Sequence, residues 1–148
     1  MTWPTRNPRR KKVIARDPVT RRILQPSEHV IQVRLLNALE LVKAKGVYVF
    51  AVPNQSNRGA VSGMKMKAEG VRSGVTDLVV MMPGGRTAFL EMKKPGGRLS
   101  DTQKQFRDRC LMTDHLWAVA YSVTEALVYL RSWGALREGV TDLMEAAE

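Results

Sequence analysis

A single cysteine in 148 residues rules out an internal disulfide, and with only two histidines it also rules out a structural zinc cluster of Cys and His. No apolar run approaches the ~20 residues of a membrane span. The N-terminus lacks the apolar core of a secretory signal. These absences predict a reduced, cytosolic protein. There is no internal repeat and no low-complexity segment. Acid is also scarce: 14 Asp and Glu stand against 24 Lys and Arg, for a net charge of +10 and a pI near 10.3. Such a surplus favours a polyanionic partner, most simply nucleic acid. What remains is ordinary for a globular chain, with 44% hydrophobic and 26% charged residues. The length allows one domain with a real core.

The charge is unevenly placed. Residues 1–26 hold eight basic side chains, including Arg9, Arg10, Lys11 and Lys12, against the single acid Asp17. Four prolines and no helical or alternating period make this segment an extended arm, suited to phosphate contact or to solubility alone. Residues 137–148 are small and acidic and read as a tail. The domain is expected between them, over residues 27–136.

Within that span the period is first helical. Ile31, Leu35, Ala38, Leu39 and Val42 share one stripe over residues 27–45, with Ser27 as N-cap and Gly46 as stop. A β-rich run follows at residues 47–52. Residues 53–75 form a long glycine-containing connection, with room for a short helix at residues 64–69. Two strand-like runs, 76–82 and 86–93, flank Pro83-Gly84-Gly85 and form a hairpin. A second helix over residues 100–113 opens with the capping box Ser100-x-x-Gln103, and a strand at 116–121 follows. The last helix, residues 123–133, has Ser122-x-x-Glu125 as its own box. The fold class is therefore α/β, in the order α-β-β-β-α-β-α.

The hairpin locates the chemistry. A three-residue loop at Pro83, Gly84 and Gly85 pairs Met82 with Arg86, which sets Asp77 opposite Glu91. Opposed side chains share a face, with Cβ atoms about 4.5–5.5 Å apart. Lys93, two residues beyond Glu91, points the same way. Two close carboxylates repel unless a proton or a cation lies between them. Hard oxygen ligands suit Mg²⁺ or Mn²⁺, and a lysine beside them adds charge where a phosphate would react. An Asp–Lys–Glu cross-strand salt bridge explains the same pattern without chemistry. Glu28 and Gln103 bear on the choice. Each lies in line with the apolar stripe of its helix, Glu28 with Leu35 and Leu39, Gln103 with Phe106 and Cys110. Polar groups on a core-facing stripe need partners.

The ordered set Glu28-x-x-x-Gln32, Pro53-Asn54, Gly74-x-x-Asp77-Leu-Val-Val, Phe89-Leu-Glu-Met-Lys-Lys94 and Ser100-x-x-Gln103 resembles the VRR-NUC group of the PD-(D/E)XK nucleases. Thr76 departs from it, since that group usually has proline there. The resemblance implies a restriction-endonuclease-like α-β-β-β-α-β core with a C-terminal helix. It implies Mg²⁺ or Mn²⁺ on Asp77, Glu91 and the Met92 backbone carbonyl, and Lys93 orienting or activating the attacking water. Glu28 would act through water or on a second ion, and Gln103 as an accessory residue. Short, phage-type relatives act on branched DNA. A four-way (Holliday) junction is then the expected substrate, with flap, single-strand or structure-tolerant cleavage as the alternative. A non-catalytic DNA-binding protein is the rival of another class. Neither a small-molecule cofactor nor a membrane is expected, and the setting would be the cytoplasm of a bacterium or phage-infected cell.

Arg58, Lys65, Lys67, Arg72 and Lys94 are further candidates for phosphate contact. His29 and His115 read as surface residues, Cys110 as core, and the scattered methionines as packing. A homodimer would supply the two sites that junction resolution needs. Tyr129 and Trp133 would form its contact surface or close the monomer's core.

Overall fold

The computed structural model describes residues 25–53 and 60–140. The arm with Arg9, Arg10, Lys11 and Lys12, the loop residue Arg58 and the end of the acidic tail lie outside the described residues. The element order is α1 (Glu28–Val42), β1 (Tyr48–Ala51), α2 (Ala60–Ala68), β2 (Leu78–Met82), β3 (Arg86–Met92), α3 (Asp101–Met112), β4 (Leu116–Ala120) and α4 (Val123–Ser132). One mixed sheet runs β1-β2-β3-β4. β1–β2 and β2–β3 are antiparallel, and α3 provides the crossover that makes β3 and β4 parallel. This is the α/β architecture that the sequence predicts.

Alternation sorts the sheet into two unlike faces. Leu78, Val80, Met82, Ala88, Leu90, Met92, Ala118 and Ala120 are buried against α1 and α4. α1 contributes Ile31, Leu35 and Leu39 at four-residue steps, and α4 contributes Ala126, Leu127 and Leu130. Burying each large aliphatic side chain stabilises the domain by about 1.5–3 kcal/mol. On the opposite face α3 packs through Phe106, which meets Phe89 edge to face at 5.3 Å.

Local signals start the helices as expected. Ser27, Ser100 and Ser122 each accept a backbone N–H from the first turn that follows. At α3 the capping box is complete, whereas the Glu125 carboxylate takes the N–H of Tyr121 rather than that of Ser122. α1 ends at Val42, three residues short of the expected end at Lys45. Lys43 is extended there and bridges Leu136, and the Ala44 N–H donates to the Ala135 carbonyl at 2.8 Å. The long connection holds α2, which starts four residues before the expected short helix. Trp133 is buried and Tyr129 stacks on it, so this aromatic pair closes the monomer's core. Leu136 and Val140 also pack into the core, and the Arg137 guanidinium donates to the Leu41 carbonyl. The methionines divide. Met82 and Met92 are buried, but Met64, Met81 and Met112 are exposed, so packing does not explain them. Among the described residues no helix is long and apolar enough to cross a membrane.

Candidate active site

The turn Pro83–Gly85 sets the register through its chemistry. Gly84 and Gly85 both adopt positive φ, at 82° and 73°, and close the loop between Met82 and Arg86. Pairing then runs to Leu78 opposite Leu90. One residue further, Asp77 and Glu91 face each other at the open end. The Met92 N–H donates to Asp77 Oδ2 at 2.9 Å, which ties the carboxylate to β3. The Asp77 carbonyl accepts the N–H of Val52 at 2.8 Å, which holds the segment after β1 at the same level.

Glu91 is 1% exposed, and its carboxylate is held by Lys93, Gln103 and the Asp77 backbone. The Lys93 ammonium lies 2.9 Å from Oε1, and the Gln103 side-chain amide donates to the same oxygen. Burial pushes the Glu91 carboxyl up to about 7, the Asp77 charge adds to the rise, and Lys93 opposes both. For Lys93 burial disfavours the charge. The hydrogen bond and charge of Glu91 outweigh it, with Glu28 and Asp77 behind them, so the ammonium is held above its ordinary range. Lys93 is therefore a cation at neutral pH.

Gln103 takes part in two structures at once. Its Oε1 accepts the Ser100 N–H at 2.9 Å to complete the cap of α3, which turns the amide nitrogen toward Glu91. Glu28, in the first turn of α1, accepts the Lys94 N–H through Oε1 at 3.4 Å. Of the described glycines, Gly74, with φ +79°, is packed most tightly. A Cβ added there would lie 2.4 Å from the Thr102 carbonyl carbon, so the loop before Asp77 rests on the first turn of α3. Beside it, Thr76 is buried and its hydroxyl has no hydrogen-bond partner among the described residues.

These groups line one cleft of about 1400 Å³. Asp77, Lys93, Gln103 and Glu28 border it, and Glu91 sits beneath, bonded to Lys93 and Gln103. Lys67 and Arg72 stand on its wall, as does Arg109. The expected phosphate contacts therefore separate. Lys65 lies off the cleft in an exposed pair with Glu69 at 4.0 Å, and Lys94 meets Glu28 through its backbone. Arg109 is absent from the sequence reading. Its signal was there, since it lies six residues from Gln103 and shares a helix face with Phe106. His29 and His115 are exposed, and Cys110 is buried. Among the described residues no group of three or more His, Cys, Asp or Glu side chains is placed to hold a metal ion. An ion here would have two carboxylates and would need backbone or solvent oxygens besides.

A family model described as the VRR-NUC domain matches residues 16–124. A solved structure described as a VRR_NUC domain protein is similar at a TM-score of 0.62 and 20% identity, covering 73% of this chain and 88% of the other. Another, described as a VRR_NUC domain, has 21% identity and a TM-score of 0.49, over 70% of this chain and 94% of that one. No curated protein matches. With the family model spanning most of the chain, and the fold shared with a solved member, the protein belongs to the VRR-NUC family and carries a nuclease domain.

Proposed function

We propose that this domain is a divalent-metal-dependent DNA endonuclease, acting on branched DNA such as four-way junctions. The observation that carries the reading is the opposition of Asp77 and Glu91, with Glu91 buried and its charge disfavoured by its neighbour. A purely DNA-binding surface gains nothing from two carboxylates facing a polyanion. Hard oxygens in a site that needs a cation fit Mg²⁺ or Mn²⁺, held by Asp77, Glu91 and the Met92 carbonyl. When bound, such an ion supplies polarisation of a phosphate oxygen and a more acidic water.

The chain's own groups do the rest. Lys93, kept cationic, faces the negative charge that builds on the phosphate and orients the water by hydrogen bonding. Gln103 keeps the Glu91 carboxylate aimed. Glu28 acts through water or on a second ion. Lys67, Arg72 and Arg109 hold phosphates along the cleft, and the arm of residues 1–26 adds contacts outside it, with Arg58, Lys65 and Lys94 as secondary ones. Two copies in a homodimer cut the two strands that resolve a junction. The setting is the cytoplasm.

The test is a panel of end-labelled linear, flap, splayed and four-way DNA with Mg²⁺, Mn²⁺, Ca²⁺ or EDTA. Asp77→Ala, Glu91→Ala and Lys93→Ala should each lower cleavage by orders of magnitude with the fold intact. Ca²⁺ should support binding without turnover. Near-normal cleavage by Asp77→Ala, or full activity in excess EDTA, would sink the assignment. Tight binding with no cleavage under any metal would favour the DNA-binding rival.

A further inference from the structure

Asp77 and Glu91 belong to the sheet face that α3 covers, and that face continues away from the cleft. By register, Phe50, Val79, Phe89 and Trp117 form one row across all four strands. Phe50 stands two residues, roughly 7 Å of strand rise, from the level of Asp77. The next row begins with Tyr48 opposite Met81. α3 covers Phe89 through Phe106, while among the described residues the β1 side stays exposed. Tyr48 is 62% exposed, Met81 50% and Phe50 38%. The two rings stand side by side, with centroids 5.9 Å apart and planes tilted by 37°. Val52, next on this face of the same segment, already lines the cleft.

We infer that Tyr48 and Phe50 form a stacking site for unpaired nucleobases of the DNA that enters the cleft. The inference rests on the nuclease reading and, within branched DNA, favours flaps and splayed arms with unpaired nucleotides over the fully paired four-way junction. Three observations select this occupant. Phe50 lies two residues from Val52, which lines the cleft, so a strand held there by Lys67, Arg72 or Arg109 can run on over the rings. The chain is strongly basic, which suits an occupant that brings phosphates. The open patch is also small. With side chains of ~200 Å² each, its three residues expose about 300 Å², well below the ~800 Å² per partner of a stable dimer. An aromatic face takes any base, but only one freed from pairing, since a duplex hides its base faces within the stack.

The test measures equilibrium binding of the full chain in Ca²⁺ to flap DNA carrying an abasic site at successive unpaired positions. Blunt duplex is the reference. Tyr48→Leu with Phe50→Leu keeps the apolar area and removes the π faces. Wild type should lose about tenfold in affinity at one or two abasic positions. The double variant should bind intact flap about tenfold more weakly, ignore the abasic site and bind duplex normally. A flat abasic profile in wild type overturns the inference, and this holds even if the double variant fails to fold. Equal loss on flap and duplex overturns it too. A halved mass by light scattering in the variant, with an unchanged abasic profile, gives the face to a second copy instead. The nuclease reading is judged separately. A flat profile with Asp77→Ala inactive removes only the stacking site, while an active Asp77→Ala removes the catalytic assignment and leaves the abasic profile readable.

Discussion

Gln103 accepts the backbone N–H of Ser100 with its carbonyl and donates its amide to Glu91, so one side chain caps the start of a helix and holds a buried carboxylate. Gln103→Ala should cost about 1 kcal/mol through the cap and lower cleavage as well. Gln103→Glu separates the two roles. It preserves the capping box but sets a second carboxylate against Glu91. Its melting temperature should stay near wild type while cleavage falls and the pH profile moves upward. Equal losses of stability in the two variants would contradict the division.

The raised Glu91 carboxyl makes metal binding and pH interdependent. In the metal-free protein Glu91 holds its proton up to about pH 7, against 4.5 for an ordinary glutamate. The native state thus binds more protons than the unfolded chain between those values. Its contribution to stability is full below about 4.5 and is lost as pH rises through about 7. A divalent ion favours the ionised form. Mg²⁺ binding should therefore release a proton near pH 6, and affinity should strengthen between pH 6 and pH 8. Calorimetry in two buffers of different ionisation enthalpy reads the proton directly. Glu91→Gln should abolish the release.

At Gly74 an added methyl group would meet the backbone of Thr102, whereas at Gly84, with similar φ, it would meet open space. Gly84→Ala should lose only the backbone strain, about 1–2 kcal/mol. Gly74→Ala should lose more and also separate the Asp77 loop from α3. Cleavage should drop at temperatures where the variant is still folded. Matching losses of stability and activity in the two alanine variants would argue against the contact.

Thr76 buries a hydroxyl without a hydrogen-bond partner among the described residues, which costs about 1–3 kcal/mol. Thr76→Val keeps the shape and removes that cost. The variant should melt at a higher temperature, with cleavage unchanged. Denaturant unfolding of the two proteins checks it, and a loss of stability would mean that the hydroxyl is satisfied.

The local parts of this molecule were legible from neighbouring residues. Pro83-Gly84-Gly85 dictates a three-residue turn, and the turn dictates the register that brings Asp77 level with Glu91. Ser27, Ser100 and Ser122 mark helix starts because a hydroxyl can accept the free N–H groups of a first turn. The stripe of Ile31, Leu35 and Leu39 follows from 3.6 residues per turn. Such signals act within a few residues, so the sequence by itself determined seven of the eight elements and their order, left α2 as only a possible short helix, and brought Asp77 level with Glu91.

The tertiary structure decided what depends on segments far apart in the chain. α1 stops at Val42 because Lys43 and Ala44 pair with Leu136 and Ala135, more than ninety residues on. Glu28 reaches Lys94 across a separation of 66 residues. Arg109 joins the cleft, and Tyr48, Phe50 and Met81 stay exposed among the described residues, because α3 lies over β3 and β4 rather than β1. Periodicity tells which side chains share a face. Whether that face is covered depends on which element packs against it, and that is settled only when the whole chain has closed its core.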